Sequence, residues 1–176
     1  MKYFAYGSNM LEERLRAPER VPGAACLTKV FASKYCLRFN KKSVDKSGKC
    51  NIVQTGSMDD FVWGVLFEIP EAQRWKLDVA EGYGHGYDHA NIEVHLPDGT
   101  IERALAYVAT VTDDKLLPYS WYHQLVVAGA EQHGLSADYI AKLREERSVK
   151  DPEPNRPSKL EAERVLAEYY AMRKSR

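Results

Sequence analysis

The sequence carries no net charge: 25 Lys and Arg offset 25 Asp and Glu. That absence removes the electrostatic footprint of a general nucleic-acid binder or a membrane-surface protein, so neither is an expected partner. No apolar run approaches the ~20 residues that a membrane helix needs. The segment Tyr3-Phe4-Ala5-Tyr6 between Lys2 and Gly7 is too short for a signal-peptide core. Cysteine is scarce and odd in number. Cys26, Cys36 and Cys50 lack Cys-x-x-Cys spacing, which excludes a disulfide framework and points to a reducing, cytoplasmic setting. There is no Gly-x-Ser-x-Gly elbow around Ser8, hence no sign of a serine nucleophile, and no internal repeat or low-complexity tract.

What the chain does contain is enough apolar material, 44% with 11% aromatic, for one packed domain in 176 residues. The neutrality is also uneven. Residues 1–50 hold 11 basic and 4 acidic side chains, residues 51–100 hold 2 and 9, and the remainder is nearly balanced. Any pocket joining the first two stretches brings opposite charges together.

Lys2–Tyr6 reads as a short strand ended by Gly7, with Ser8 or Asn9 capping a helix over Met10–Arg16. Residues 26–40 are rich in β-formers, one bent strand or two short ones. Phe61–Ile69 is nearly all apolar, as a strand buried on both faces would be. Pro70 opens a helix whose Ala72, Trp75 and Val79 share a face and which Gly82 ends. Ile92–Leu96 and Ile101–Ala109 alternate around the turn Pro97-Asp98-Gly99. Helices follow from Ser120 to about Gln132 and from Ser136 to about Arg147. The proline-rich segment 151–157 separates a last helix, opened by the capping box Ser158/Glu161, with an apolar stripe Ala162, Val165, Leu166, Tyr169 and Met172. The expected organisation is therefore a domain over 1–150 and a linker plus helix over 151–176, packed on that domain or on the second subunit of a homodimer. Strands with helices inserted and appended indicate an α+β fold.

Three places offer chemistry. At Tyr6-Gly7-Ser8-Asn9 a strand gives way to a helix, and the free N–H groups there suit a carboxylate or a developing oxyanion; the same residues also read as a plain capped turn. Glu81 stands in the last turn of its helix, where the dipole disfavours an anion, and Asp78 three residues back adds a like charge if it faces the same way; both suit proton transfer. The loop Gly82–His89 has glycines like a phosphate cradle, but it follows a helix and precedes a strand, the reverse of the nucleotide-binding order. His85, Asp88 and His89 fall on a loop rather than on one helix face, so a metal is not expected. Trp63, Trp75 and Trp121 read as core, and Tyr122 as core or pocket wall.

These segments together resemble a known family. Tyr3-Phe4-Ala5-Tyr6-Gly7-Ser8-Asn9-Met10, Val62-Trp63-Gly64-Val65, Leu77-Asp78-x-x-Glu81-Gly82, Tyr87, Ile92-Glu93-Val94, Ser120-Trp121-Tyr122 and Ala128-Gly129-Ala130 are similar to the γ-glutamylcyclotransferases over about residues 2–147. The resemblance implies a small mixed β-barrel with surrounding helices and a pocket at its mouth. It implies release of 5-oxoproline from a small γ-glutamyl substrate by attack of the substrate's own α-amine on its γ-carbonyl, without metal or cofactor. It makes Glu81 the catalytic carboxylate, and Tyr6, Gly7, Ser8, Asn9, Tyr87 and Tyr122 the substrate-binding residues. The glycine loop with His85 departs from the family pattern, on the side where the leaving group is chosen. Removal of a γ-glutamyl protecting group from a biosynthetic intermediate, or a non-catalytic binding module, are the alternatives.

Overall fold

The computed structural model describes residues 1–174. Strands β1 (Lys2–Ala5), β2 (Ala25–Ser33), β5 (Phe61–Glu68), β6 (Tyr87–His95) and β7 (Ile101–Ala109) close a barrel in the order β1-β5-β2-β6-β7. Its neighbours are antiparallel except at the seam, where β1 meets β7 in parallel at Tyr3 and Leu105. Strands β3 (Tyr35–Lys42) and β4 (Gly48–Gln54) form a separate hairpin at the barrel's side.

Barrel closure follows from the sequence pattern. In β5, Val62, Val65, Leu66 and Phe67 are buried, with the Phe67 ring edge-on to His133 just after α3 (Ser120–Gln132). Residues 25–42 break into two strands at Lys34, which adopts φ 67°, so the chain turns out of the barrel into the hairpin. The β6–β7 hairpin keeps one register from Tyr87 opposite Ala109 to His95 opposite Ile101.

The helices hold the barrel's open side. Helix α3 crosses the 3₁₀ turn Ser8–Met10 closely enough that a Cβ on Gly129 would stand 2.7 Å from both the Leu11 amide and the Met10 Cβ. Glycine there fixes how near the loop after β1 comes to α3. Helix α4 (Ala137–Glu145) begins with the Ser136 hydroxyl accepting from the Tyr139 amide. Helix α5 (Pro157–Lys174) packs on α3 and on α1 (Glu12–Leu15), burying Ala162, Val165, Leu166 and Tyr169 within the same chain while Met172 stays half exposed. No helix among the described residues is long and apolar enough to cross a membrane.

Three local expectations change. The helix expected over Met10–Arg16 is a 3₁₀ turn followed by the four residues of α1, with Leu11 extended between them. The helix expected from Pro70 is a 3₁₀ turn at Glu71–Gln73 and then α2 (Arg74–Glu81). Only Leu77 of α2 is buried; Trp75 and Val79 are 61% and 74% exposed, so the face that looked like core points to solvent. Periodicity marked that the apolar residues share a face, but one leucine on the adjacent face was enough to seat the helix.

Candidate active site

Glu81 is the last residue of α2. Gly82 ends the helix in the left-handed region, φ 67° and ψ 45°, with its amide on the Val79 carbonyl and that of Tyr83 on Asp78. That turn leaves the Glu81 carboxylate against the 3₁₀ turn that follows β1. Its Oε1 accepts from Asn9 Nδ2 at 2.8 Å and lies 3.6 Å from Arg20 Nη1, whereas Oε2 makes no hydrogen bond among the described residues. One oxygen is therefore fixed, and the other is open to a ligand.

Asn9 does not cap a helix. Its Nδ2 also donates to the Tyr3 hydroxyl (3.0 Å), and its Oδ1 accepts from Arg20 Nη1 (3.4 Å). Three partners fix the amide plane, and through it the carboxylate. Ser8 is buried, its Oγ accepting from Arg14 Nε at 3.2 Å. The amides of Gly7, Ser8 and Asn9 bind no acceptor among the described residues, so they remain available donors. With only a 3₁₀ turn behind them, they act as individual N–H groups more than as the end of a helix dipole.

The seven residues that the family resemblance marked as catalytic or substrate-binding meet here. Tyr6, Gly7, Ser8, Asn9, Glu81, Tyr87 and Tyr122 line one pocket of about 30 Å³ at the barrel mouth. The tyrosine hydroxyls are already engaged. Tyr6 donates to the Tyr107 carbonyl, Tyr87 to the Cys50 carbonyl at 2.6 Å, and Tyr122 accepts from the Cys50 amide at 3.1 Å. Burial pushes Tyr6, Tyr87 and Tyr122 well above the usual phenol range, so all three are neutral. Having given their protons to carbonyls, Tyr6 and Tyr87 present oxygen lone pairs to a bound molecule and suit a donor such as an ammonium group.

Tyr3, Cys50 and Tyr107 complete the wall and were missed in the sequence reading. Strand alternation gave no signal for Tyr3, since it puts Tyr3 and Tyr6 on opposite faces, and nothing local marked Cys50 or Tyr107. Burial pushes the Cys50 thiol up to about 12, so it lines the pocket as a thiol and not as a thiolate nucleophile. Asp78 takes Tyr107 and His89, each at 2.6 Å, and lies 3.7 Å from Arg74. Its charge is thus held by donors of its own.

Asp88 and His89, expected in the glycine loop, lie in β6. His89 joins Asp78 and Arg74 and stacks on Tyr83 at 3.8 Å. Among the described residues the group close enough for a cation is Glu12, Cys26 and His133, outside the pocket. There His133 Nε2 is bonded to the Met10 carbonyl, Glu12 pairs with Arg16 at 2.8 Å, and burial favours the neutral forms of both Cys26 and His133.

Outside the inner pocket, and sharing Ser8, Glu81, Tyr87 and Tyr122 with it, opens a vestibule of about 420 Å³. Its walls carry Arg14, Arg20, Lys41, Lys49 and Arg156 against Asp45, Glu81 and Glu161. Four of the five cations come from residues 1–50, whereas Glu81 is the one lining carboxylate from residues 51–100, so the two oppositely charged stretches meet at this mouth. Burial pushes Arg14 down to about 10, with Arg20 as a second cause. Arg20 Nε is buried without a hydrogen-bond partner. The linker after α4 supplies the far wall: Asp151 is buried, bonds Trp121 Nε1 (3.0 Å) and grips Arg156 through two hydrogen bonds, 2.7 and 3.1 Å.

The chain is similar to known proteins in sequence and in fold. The AIG2-like family matches residues 61–143. Human γ-glutamylcyclotransferase is 30% identical over 148 residues, covering 81% of this chain and 76% of the human protein, and the mouse protein is 32% identical over the same shares. A solved γ-glutamyl cyclotransferase structure superposes with a TM-score of 0.84 at 26% identity, covering 96% of this chain and 98% of that one. A further human structure reaches 0.81 at 28% identity over 94% and 97%. With the barrel, the mouth pocket and this similarity along most of both chains, the protein belongs to the γ-glutamylcyclotransferase family.

Proposed function

We propose that this enzyme converts γ-glutamyl amino acids or γ-glutamyl amines into 5-oxoproline and the free amine, with Glu81 moving the proton. The substrate's α-ammonium gives a proton to Glu81 Oε2, and the neutral amine attacks the γ-carbonyl carbon to close a five-membered ring. The carbonyl oxygen gains charge opposite the amides of Gly7, Ser8 and Asn9. As the C–N bond to the leaving group breaks, Glu81 returns its proton to the departing nitrogen and takes the second proton from the ring nitrogen; the released amine picks this one up and leaves as an ammonium ion, so two protons pass from the α-nitrogen to the leaving nitrogen. No water enters the equation. Nucleophile and electrophile belong to one molecule, so the protein's main contribution is to hold the extended γ-glutamyl chain in its ring-closing geometry.

The observation that carries this reading is the clamp Asn9–Glu81–Arg20. A carboxylate with one oxygen held by an amide and an arginine, and the other unengaged beside free backbone donors, is arranged for proton transfer to a polar substrate. Tyr6 and Tyr87 oxygens support the same role by accepting from the α-ammonium before it is deprotonated. The three cysteines are free, which fits a cytoplasmic setting.

The test is direct. A panel of γ-glutamyl dipeptides and γ-glutamyl amines is incubated with the enzyme and with Glu81→Gln, and 5-oxoproline is followed. Turnover of at least one substrate is expected, with a loss of about 10²–10⁴-fold in kcat for the variant. Equal rates would remove Glu81 from the mechanism, and no product from any substrate would remove the reading.

A further inference from the structure

We infer that Lys41 binds a carboxylate on the leaving group, so that the enzyme selects γ-linked amino acids over γ-linked neutral amines; this rests on the γ-glutamyl reading above.

The argument begins with space. The inner pocket measures about 30 Å³ and the vestibule about 420 Å³. When the α-amine and γ-carbonyl meet beside Glu81, the group on the far side of the scissile bond extends outward, through the residues the two cavities share. The vestibule is therefore the leaving-group subsite.

The next step is a matching of charges. Arg14 is held by Glu161 at 2.9 Å, and Arg20 lies between Glu81 at 3.6 Å and Glu161 at 3.8 Å. Lys49 is bonded to Asp45 at 2.8 Å and lies over the Trp121 and Tyr122 rings at 4.4 and 4.6 Å. Arg156 is gripped by Asp151. Lys41 is different: among the described residues no carboxylate comes within 4.0 Å of its ammonium. It rests over the Tyr87 ring, 4.8 Å from the centroid, a contact that leaves its N–H donors free.

Position completes the case. Lys41 follows an irregularity in the β3–β4 ladder between Arg38 and Lys41, where the strand also bridges to Thr112. Such a bulge re-aims the side chains beside it. The ammonium comes to Tyr87, whose ring belongs to both cavities, and close to the backbone at Gly86, where an added Cβ would lie 2.8 Å from Nζ. An amino-acid leaving group carries its carboxylate two bonds from the scissile nitrogen, and so presents it at this junction. Burial lowers the affinity of Lys41 for its proton while the Glu81 charge raises it, so ammonium and catalytic carboxylate share one field. An incoming carboxylate replaces the water lost from that ammonium.

A matched pair of substrates tests this. γ-Glutamylalanine and γ-glutamylethylamide differ only in the leaving-group carboxylate. The wild-type enzyme is expected to prefer the alanine compound by about tenfold to a hundredfold in kcat/KM, the range of one charge-assisted hydrogen bond. In Lys41→Met the preference is expected to shrink to within about threefold, mainly through a raised KM for γ-glutamylalanine. Lys41→Arg is expected to keep most of the preference. A wild type that handles both substrates alike, or a Met variant that keeps the full preference, overturns the inference while the γ-glutamyl reading stands. Absence of 5-oxoproline from both substrates with the wild type overturns that reading, and this inference with it.

Discussion

The inner pocket and the vestibule share four side chains and differ in how they treat charge. Five neutral tyrosines, a thiol and three backbone amides surround one carboxylate inside. Outside, five cations face three carboxylates. Inside, every polar side chain except one oxygen of Glu81 is tied to the fold, which suits a reaction whose reactants come in a single molecule and need orientation more than activation. Outside, among the described residues, the charges are paired except at Lys41, which suits recognition. The contrast teaches that this barrel separates making the ring from choosing what leaves.

Breaking the inner side should cost most. After the loss of the Glu81 carboxylate, Asn9→Ala is expected to be the most damaging inner change. It removes the hydrogen bonds that Asn9 donates to Glu81 Oε1 and accepts from Arg20 Nη1, leaving the carboxylate to Arg20 alone, and a fall of about 10–100-fold in kcat with little change in KM is expected from steady-state kinetics. A loss confined to KM would mean that Asn9 holds substrate and not the carboxylate.

Breaking the vestibule should act on binding or stability instead. Lys41→Met alters selectivity, as above. Glu161→Gln leaves Arg14 and Arg20 facing each other with only Glu81 between them, and should destabilise the fold by about 1–3 kcal/mol in urea titration. Its kcat should stay within about threefold of the wild type at temperatures well below the transition. A stability unchanged by Glu161→Gln would show that the arginine pair is solvated well enough to need no counter-charge.

The smallest effect concerns Cys50. With its thiol pushed up to about 12, only about one molecule in 10⁴ is a thiolate at pH 8, and that fraction rises tenfold per pH unit until the pH reaches 12. Mass spectrometry after brief alkylation at pH 8 is expected to find Cys26 and Cys36, both half-buried, labelled ahead of buried Cys50. Faster labelling of Cys50 would mean that the inner wall is wetter and more charged than its tyrosines indicate.

Much of this was legible in the chain. Local rules marked β1 and its stop at Gly7, the apolar β5, the β6–β7 hairpin with its Asp-Gly turn, and Gly82 as the end of α2, because each depends on neighbours within a few residues. They failed where distant contacts overruled them. Trp75 and Val79 look inward by spacing and point outward, since Leu77 alone seats α2. Asn9 has the spacing of a cap and serves the pocket, because Glu81 and Arg20 offer its amide charged partners that a helix start does not.

The sequence by itself determined the kind of chemistry available: a carboxylate beside a glycine cap, a turn rich in free amides, tyrosines, and a basic first stretch followed by an acidic one. Only the tertiary structure decided that these meet. Glu81 and Asn9 are 72 residues apart, and Arg14 and Glu161 are 147 apart. No local periodicity encodes such pairings; barrel closure and the packing of α3 and α5 create them. The same closure converted a charge segregation that sums to zero into a basic mouth with one lysine unpaired among the described residues, because folding sets charges by distance and burial and not by their order along the chain.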